Sequence, residues 1–165
     1  MAVAFASLLV LAGCSTLSQP LGSDAATEGI RFENATESAG VDYHATATGS
    51  GNGDSGVYAT DVDNDGWTDL LLIGGESPAL FVNRGGEFDR RAAFPEVGAD
   101  VKSAAVVDYD GDGWDDLVFF AVEAEPVVLH NEGGEFARTD VGLGNLTYPL
   151  GATVGDYDGD GDDDL

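Results

Sequence analysis

The chain has 165 residues, and its apolar fraction of 43% is sufficient to form a buried core. It carries 31 acidic residues against six basic ones, which gives a formal net charge of −25. Such a charge excludes nucleic acid and anionic membrane surfaces as favourable partners, because both would repel it.

The first 28 residues have the pattern of an export signal followed by a tether. Residues 2–13 are small and apolar, end in Leu11-Ala12-Gly13-Cys14 and are too few to span a bilayer as a helix. The ending resembles the lipobox of prokaryotic lipoproteins, in which the cysteine carries the lipid. We therefore expect a signal peptide at 1–13, lipidation of Cys14, a tether at 14–28 and display at the cell surface. No basic residue precedes the apolar run, and a buried free thiol is the alternative for Cys14.

Two linked motifs repeat along the rest of the chain. An Asp-rich segment occurs at 61–70, 108–117 and 156–165, with starts 47 and 48 residues apart. An Asn-x-Gly-Gly-x-Phe pattern within 81–88 recurs at the same offset within 129–136. Repeat periods in this range are typical of propeller blades or solenoid units.

The residues around these motifs predict four short strands per repeat. In the first repeat, β-prone runs at 57–60, 70–73 and 80–83 surround the Asp-rich loop and lead to a Gly-Gly turn, after which Phe88 starts a fourth strand. The second repeat has the same runs, at 104–107, 117–121 and 127–131, with a fourth strand from Phe136. No amphipathic helical stretch interrupts them, so the pattern predicts an all-β protein, a β-propeller of four-stranded blades. We also expect 29–41 to form the outer strand of the last blade.

Each Asp-rich loop has the composition of a calcium site. Carboxylates stand at positions one, three, five and nine, and glycine at position six permits a sharp reversal. Hard oxygen ligands suit calcium, and the sequence places no cysteine or histidine near the loops. The expected ligands are Asp61, Asp63, Asp65, Asp69 and the Trp67 carbonyl; Asp108, Asp110, Asp112, Asp116 and the Trp114 carbonyl; and Asp156, Asp158, Asp160, Asp164 and the Asp162 carbonyl.

The alternatives for these loops are plain turns and EF-hands. Asp-Gly pairs form hairpin turns without any metal. However, four carboxylates in one loop repel each other by on the order of several kcal/mol unless a cation neutralises them. An EF-hand requires a glutamate at position twelve, where this chain has Leu72 and Phe119. We therefore predict about one structural calcium ion per loop.

The Asp-x-Asp-x-Asp-Gly-x-x-Asp-Leu loops resemble FG-GAP/VCBS-type repeats, which are found in integrin α-subunit propellers. The Phe32-Glu-Asn-Ala-Thr-Glu-Ser-Ala-Gly pattern and the Asn-x-Gly-Gly-x-Phe motif are similar to the cartilage acidic protein (ASPIC/UnbV-associated) family. These resemblances imply a seven-bladed propeller, calcium in the hairpin loops, and extracellular binding or adhesion without catalysis. On this basis 29–165 is a partial propeller of about two to three blades, cut after the third loop.

Two classes of function remain at this stage. The first is a calcium-stabilised extracellular module that binds a protein or a glycan. The second is the N-terminal propeller part of a secreted carbohydrate-active enzyme, a lyase or hydrolase, whose catalytic residues lie beyond 165. We expect no catalytic residue here, since His44 and His130 have structural roles on the base-plus-partner criterion. Asn34 and Asn145 match the N-glycosylation pattern. The acidic surface suits a halophilic source, or else an ordinary acidic exported protein.

Overall fold

A computed structural model describes residues 31–45, 55–74, 77–92, 94–98, 101–144, 146, 149 and 151–165. Over these residues the secondary structure consists of eight β-strands, turns and irregular segments, without a helix. The same ranges contain no helical segment with the length and apolar character needed to cross a bilayer. The predicted signal peptide at 1–13, Cys14, the tether at 14–28 and Asn145 lie outside the described residues.

The strands form two antiparallel sheets of four, each in chain order. The first sheet contains β1 (Gly56–Thr60), β2 (Asp69–Ile73), β3 (Ala79–Asn83) and β4 (Phe88–Arg90). The second contains β5 (Val101–Val107), β6 (Asp116–Ala121), β7 (Val127–Glu132) and β8 (Glu135–Thr139). This up-and-down order is that of a propeller blade, so the predicted all-β fold with four-stranded blades is confirmed.

The central strands of both sheets, such as β2 and β6, are apolar on both faces, because each blade is covered on both sides. Along β2, Leu71 and Ile73 face the second blade, whereas Leu70 and Leu72 pack on the opposite side. In β6, Phe119 shares the core between the blades and Phe120 lies on the far face. Burial on both faces explains why these strands read as continuous apolar runs in the sequence.

The core between the blades joins apolar side chains from both sheets. Phe119 is 1% exposed and belongs to this core. The ring of Phe94, in the connection between β4 and β5, meets Phe119 edge to face at a centroid distance of 6.1 Å and Phe136 at 5.8 Å. This connection therefore packs against the core between the blades.

The described part of the segment before the first blade, 31–45, contains a turn at 36–40 and no strand of its own. In this turn Ala39 N–H donates to Ala35 O at 2.8 Å, and Val41 N–H donates to Thr36 O at 3.0 Å. Gly40 closes this turn at φ +82°, and a Cβ there would lie 2.7 Å from Phe88 O. Ala39 O in this turn accepts the N–H of Phe88, at the start of β4, at 2.8 Å. Pairing of 29–41 with a last blade stays a prediction. The turn still covers the first blade, since Val41 is buried against its outer face.

We predict that Phe119→Ala destabilises the protein by about 3–5 kcal/mol, because it removes a fully buried ring from the core between the blades. Phe32→Ala is the matched control, since Phe32 is 63% exposed, and it should change stability by at most about 0.5 kcal/mol. Urea unfolding followed by tryptophan fluorescence measures both. Equal losses for the two variants would contradict the assignment of this core.

Candidate metal centre

The Asp-rich loops connect the first two strands of each blade. The first runs from Asp61 to Thr68 between β1 and β2, and the second from Asp108 to Asp115 between β5 and β6. In the third repeat an isolated bridge pairs Gly155 with Asp164 across the loop. All three loops reverse at position six, where the glycine has a φ of about +90°, a backbone conformation strained for other residues.

The carboxylate at position one organises each loop by accepting bonds from the loop's own backbone. Asp61 Oδ1 accepts the N–H of position five at 3.1 Å, and its Oδ2 accepts that of Gly66 at 2.8 Å. Asp108 makes the same pair of bonds at 3.1 and 2.8 Å, and Asp156 at 3.1 and 3.2 Å. The repeated sequence therefore produces the same backbone-to-carboxylate pattern in all three loops.

The carboxylate at position nine is the most deeply buried acid of each complete blade. Asp69 and Asp116 are both 0% exposed. Asp69 accepts the N–H groups of Val62 at 2.9 Å and Asn83 at 2.7 Å. Asp116 accepts the N–H group of Asn131 at 2.7 Å. Burial raises the pKa of Asp69 and of Asp116, although these backbone bonds act in the opposite direction.

Carboxylates converge in every loop. Oxygens of Asp61, Asp63 and Asp69 lie within 4.8 Å of one another in the first loop. The same separation holds for Asp108, Asp110 and Asp112 in the second, and for Asp156, Asp158 and Asp164 in the third. The structure thus brings together three of the four predicted carboxylates in each loop, and in the second loop the fourth, Asp116, forms a further group with Asp110 and His130. Metal binding by these groups, and by the position-seven carbonyls of Trp67, Trp114 and Asp162, stays a prediction.

One buried carboxylate oxygen in the first loop lacks a hydrogen-bond partner. Asp63 Oδ1 is buried and has no hydrogen-bond partner, although its side chain belongs to the three-carboxylate group. A buried carboxylate oxygen without a donor is costly unless a cation satisfies it. Together with the all-oxygen donor set of the first loop, this oxygen fits a hard cation such as calcium.

The sequence missed two basic side chains beside the loops. His130 Nδ1 lies 3.2 Å from Asp116 Oδ1 and 3.6 Å from Asp110 Oδ2, so the expectation that no histidine is near the loops is wrong. Arg84 Nη1 lies 3.0 Å from both Asp63 Oδ2 and Asp65 Oδ2. Both residues are far from these acids in the chain and reach them only through strand pairing. A sequence signal could have found them: each residue stands next to the asparagine of the Asn-x-Gly-Gly motif, and this motif follows each loop at a fixed offset.

The hairpin asparagines tie the loops to the rest of the blades. In the first blade, Asn83 Nδ2 donates to Thr68 O at 2.9 Å. Asn131 in the second blade is fully buried, and its Nδ2 donates to Val62 O of the first loop at 2.8 Å and to Asp115 O at 3.0 Å. Asn131 therefore joins the two blades, whereas Asn83 acts within one.

Two further predicted residues lie apart from the loops. Asn34 is exposed, and its Oδ1 accepts the N–H of Thr36 at 3.1 Å. His44 is also exposed, with Nε2 at 3.5 Å from Asp42 Oδ1. Glycosylation of Asn34 stays a prediction.

The two four-stranded antiparallel sheets, each with an Asp-rich loop in its first hairpin, define a β-propeller-type repeat protein. A family model described as FG-GAP-like repeat matches the chain at residues 61–119 and 108–165, and each match begins at position one of a loop. The matches together cover more than half of the chain, which therefore belongs to the FG-GAP-like repeat family. No curated protein and no solved structure matches the chain. The finer resemblance to the cartilage acidic protein family stays a prediction.

We predict that Asn131→Ala destabilises the protein by about 2–4 kcal/mol, because it leaves buried carbonyl and N–H groups of both blades without partners. Asn83→Ala is the matched control in the first blade and should cost about 1–2 kcal/mol, since its partners are only partly buried. Chemical denaturation under identical salt conditions gives both values. A loss for Asn83→Ala as large as that for Asn131→Ala would contradict a joining role for Asn131.

Proposed function

We propose that this chain is a calcium-stabilised, non-catalytic binding module that is exported and displayed at the cell surface. The observation that carries the proposal is the convergence of three carboxylates in each Asp-rich loop, together with the buried, unpartnered Asp63 Oδ1. Membership of the FG-GAP-like repeat family supports the same reading, because repeats of this type form β-propeller binding modules.

The ligands that we assign to calcium are the predicted carboxylates of the three loops. Bound calcium would supply positive charge to the carboxylates and replace the repulsion between them by attraction. The chain's own residues prepare for this, since N–H groups of each loop hold the position-one carboxylate in place. These hydrogen bonds fix the position-one carboxylate relative to the loop backbone.

The loops lie where the two blades meet, so their rigidity affects the whole module. The hydroxyl of Thr60, just before the first loop, bonds to the carboxylate of Asp115 in the second. Asn64 Nδ2 donates to Gly113 O at 3.1 Å, again from loop to loop. We propose that calcium acts structurally, because a cation that orders one loop also holds its contacts with the next blade.

The binding role is favoured over an enzymatic one by where the titratable clusters lie. Within the described ranges, each group of three or more acidic or imidazole side chains contains acids of an Asp-rich segment, and one of the groups adds His130 of β7 to Asp110 and Asp116. We propose an extracellular protein or glycan as the partner, reached through faces of the propeller that the loops hold rigid. The net charge of −25 disfavours polyanionic partners.

Calcium binding is tested by calorimetric titration of the protein in high salt. We expect saturable binding of about one ion per loop with Kd values of about 10⁻⁴ to 10⁻³ M, as in extracellular calcium modules. Asp63→Asn combined with Asp110→Asn should abolish binding at two of the three loops. Asp89→Asn combined with Asp140→Asn removes the same charge outside the loops and should leave binding intact. Absence of saturable binding to the folded protein would overturn the proposal.

Calcium should also stabilise the fold. At a calcium concentration of about ten times Kd, each occupied site adds about 1.4 kcal/mol to the free energy of unfolding. Thermal unfolding with calcium, and again after chelation, measures this difference. The Asp63→Asn and Asp110→Asn variant should show a correspondingly smaller effect of chelation. If the protein binds calcium but unfolds at the same temperature with and without it, the structural role is contradicted.

Display at the surface depends on Cys14. We expect the protein expressed in a bacterial host to partition into the detergent phase after Triton X-114 extraction, because a lipid on this cysteine anchors it. Cys14→Ser should move the protein to the aqueous phase or leave an uncleaved precursor. Recovery of the unchanged protein in the aqueous phase would refute the lipid anchor and leave the calcium proposal intact.

A further inference from the structure

The first Asp-rich loop already holds a positive charge supplied by the chain itself. Arg84 lies just after β3 in the Gly-Gly turn, and a single nitrogen of its guanidinium group, Nη1, contacts both Asp63 Oδ2 and Asp65 Oδ2 at 3.0 Å. The backbone of Arg84 is held in turn, because its N–H donates to Glu87 O at 2.7 Å. The guanidinium group is thus positioned over the loop by the hairpin that carries it.

The second loop has the opposite charge at the equivalent place. Arg84 follows Asn83 and precedes two glycines, and Glu132 follows Asn131 and precedes two glycines. Because Asn83 and Asn131 make equivalent bonds to Asp69 and Asp116, the two hairpins hold these neighbours at matching positions. The sequence therefore places an arginine after the hairpin asparagine of the first blade and a glutamate after that of the second, whose loop has the His130 imidazole at 3.2 Å from Asp116 Oδ1.

Asp65, at position five of the first loop, lies outside the three-carboxylate group of that loop and pairs with Arg84. Asp112, at the same position of the second loop, belongs to that loop's group, whereas Asp160 of the third loop lies outside its group. The ion pair with Arg84, and not the grouping of the acids, therefore distinguishes the first loop.

A cation that enters the first loop must therefore compete with Arg84. Arg84 donates a hydrogen bond to one oxygen of the Asp63 carboxylate, Oδ2. The other oxygen, Oδ1, is buried and has no hydrogen-bond partner. A fixed positive charge beside the site repels a divalent ion and lowers its affinity. Arg84 remains about half exposed, at 54%, so it has room to swing away into solvent.

We infer that Arg84 is an internal counter-cation that competes with calcium for the first loop, so that the two neighbouring loops bind calcium with unequal affinity. The first loop is the weaker site, and its Arg84 is displaced when calcium binds. The second loop, whose hairpin has Glu132 at the sequence position of Arg84, is the tighter site. This inference rests on the proposed calcium function and assigns Arg84 as the residue that sets the affinity of one loop.

The test measures calcium affinity one loop at a time by calorimetry on the full chain. Asp110→Asn with Asp158→Asn leaves the first loop intact, and Asp63→Asn with Asp158→Asn leaves the second. In the first background, Arg84→Gln should lower the Kd for calcium by about tenfold, the scale of one nearby charge in a partly solvated site. Arg90→Gln removes the same charge from an exposed position on β4 and should change the Kd by less than twofold.

A reciprocal exchange in the second loop keeps the inference testable if Arg84→Gln fails to fold. In the background that leaves the second loop intact, Glu132→Arg should raise the Kd by about tenfold on the same electrostatic ground. If both loops bind calcium but Arg84→Gln leaves the first-loop Kd within twofold of its starting value, the inference is overturned and the calcium function stands. If neither loop binds calcium in any folded variant, both fail.

Discussion

Repulsion between carboxylates gathered in one tight loop is the constraint on which the rest of this structure depends. The fold meets it in three ways. Backbone N–H groups of the loop point at the position-one carboxylates, Asp61 and Asp108. The position-nine carboxylates, Asp69 and Asp116, are buried and bonded to the next hairpin. In the first loop a guanidinium group adds a full positive charge. The charge that remains is what a bound calcium ion would neutralise.

The same loops also connect the two blades through hydrogen bonds. A propeller blade cannot cover its inner strands alone, and here the apolar faces of β2 and β6 are buried against a shared core. At the loop end of that core, Asn131 reaches across to Val62 O and Thr60 reaches Asp115. A cation held in either loop would therefore stabilise the packing of two blades. This coupling gives a structural metal an effect beyond its own ligands.

The two complete blades are close copies in backbone but unlike in charge. Their strand order matches, and both hairpin asparagines donate an N–H to the position-nine carboxylate, whereas Arg84 contacts one loop and Glu132 holds the equivalent sequence position in the other blade. His130 adds a further difference, since its imidazole lies beside Asp110 and Asp116 of the second loop. A repeat protein can thus keep one architecture while side chains outside the repeated motif adjust each site separately.

Local sequence signals determined the strands, the hairpins and the positions of the Asp-rich loops, because short apolar runs, Asp-Gly pairs and Gly-Gly turns act over only a few residues. The predicted runs at 70–73 and 117–121 each fall within an observed strand. The tertiary structure alone decided which side chains meet across strands. It placed Arg84 and His130 beside acids of the loops and buried Asn131 between the blades. Those contacts depend on strand register and on packing between blades, which residues distant in the chain set together and no short pattern encodes.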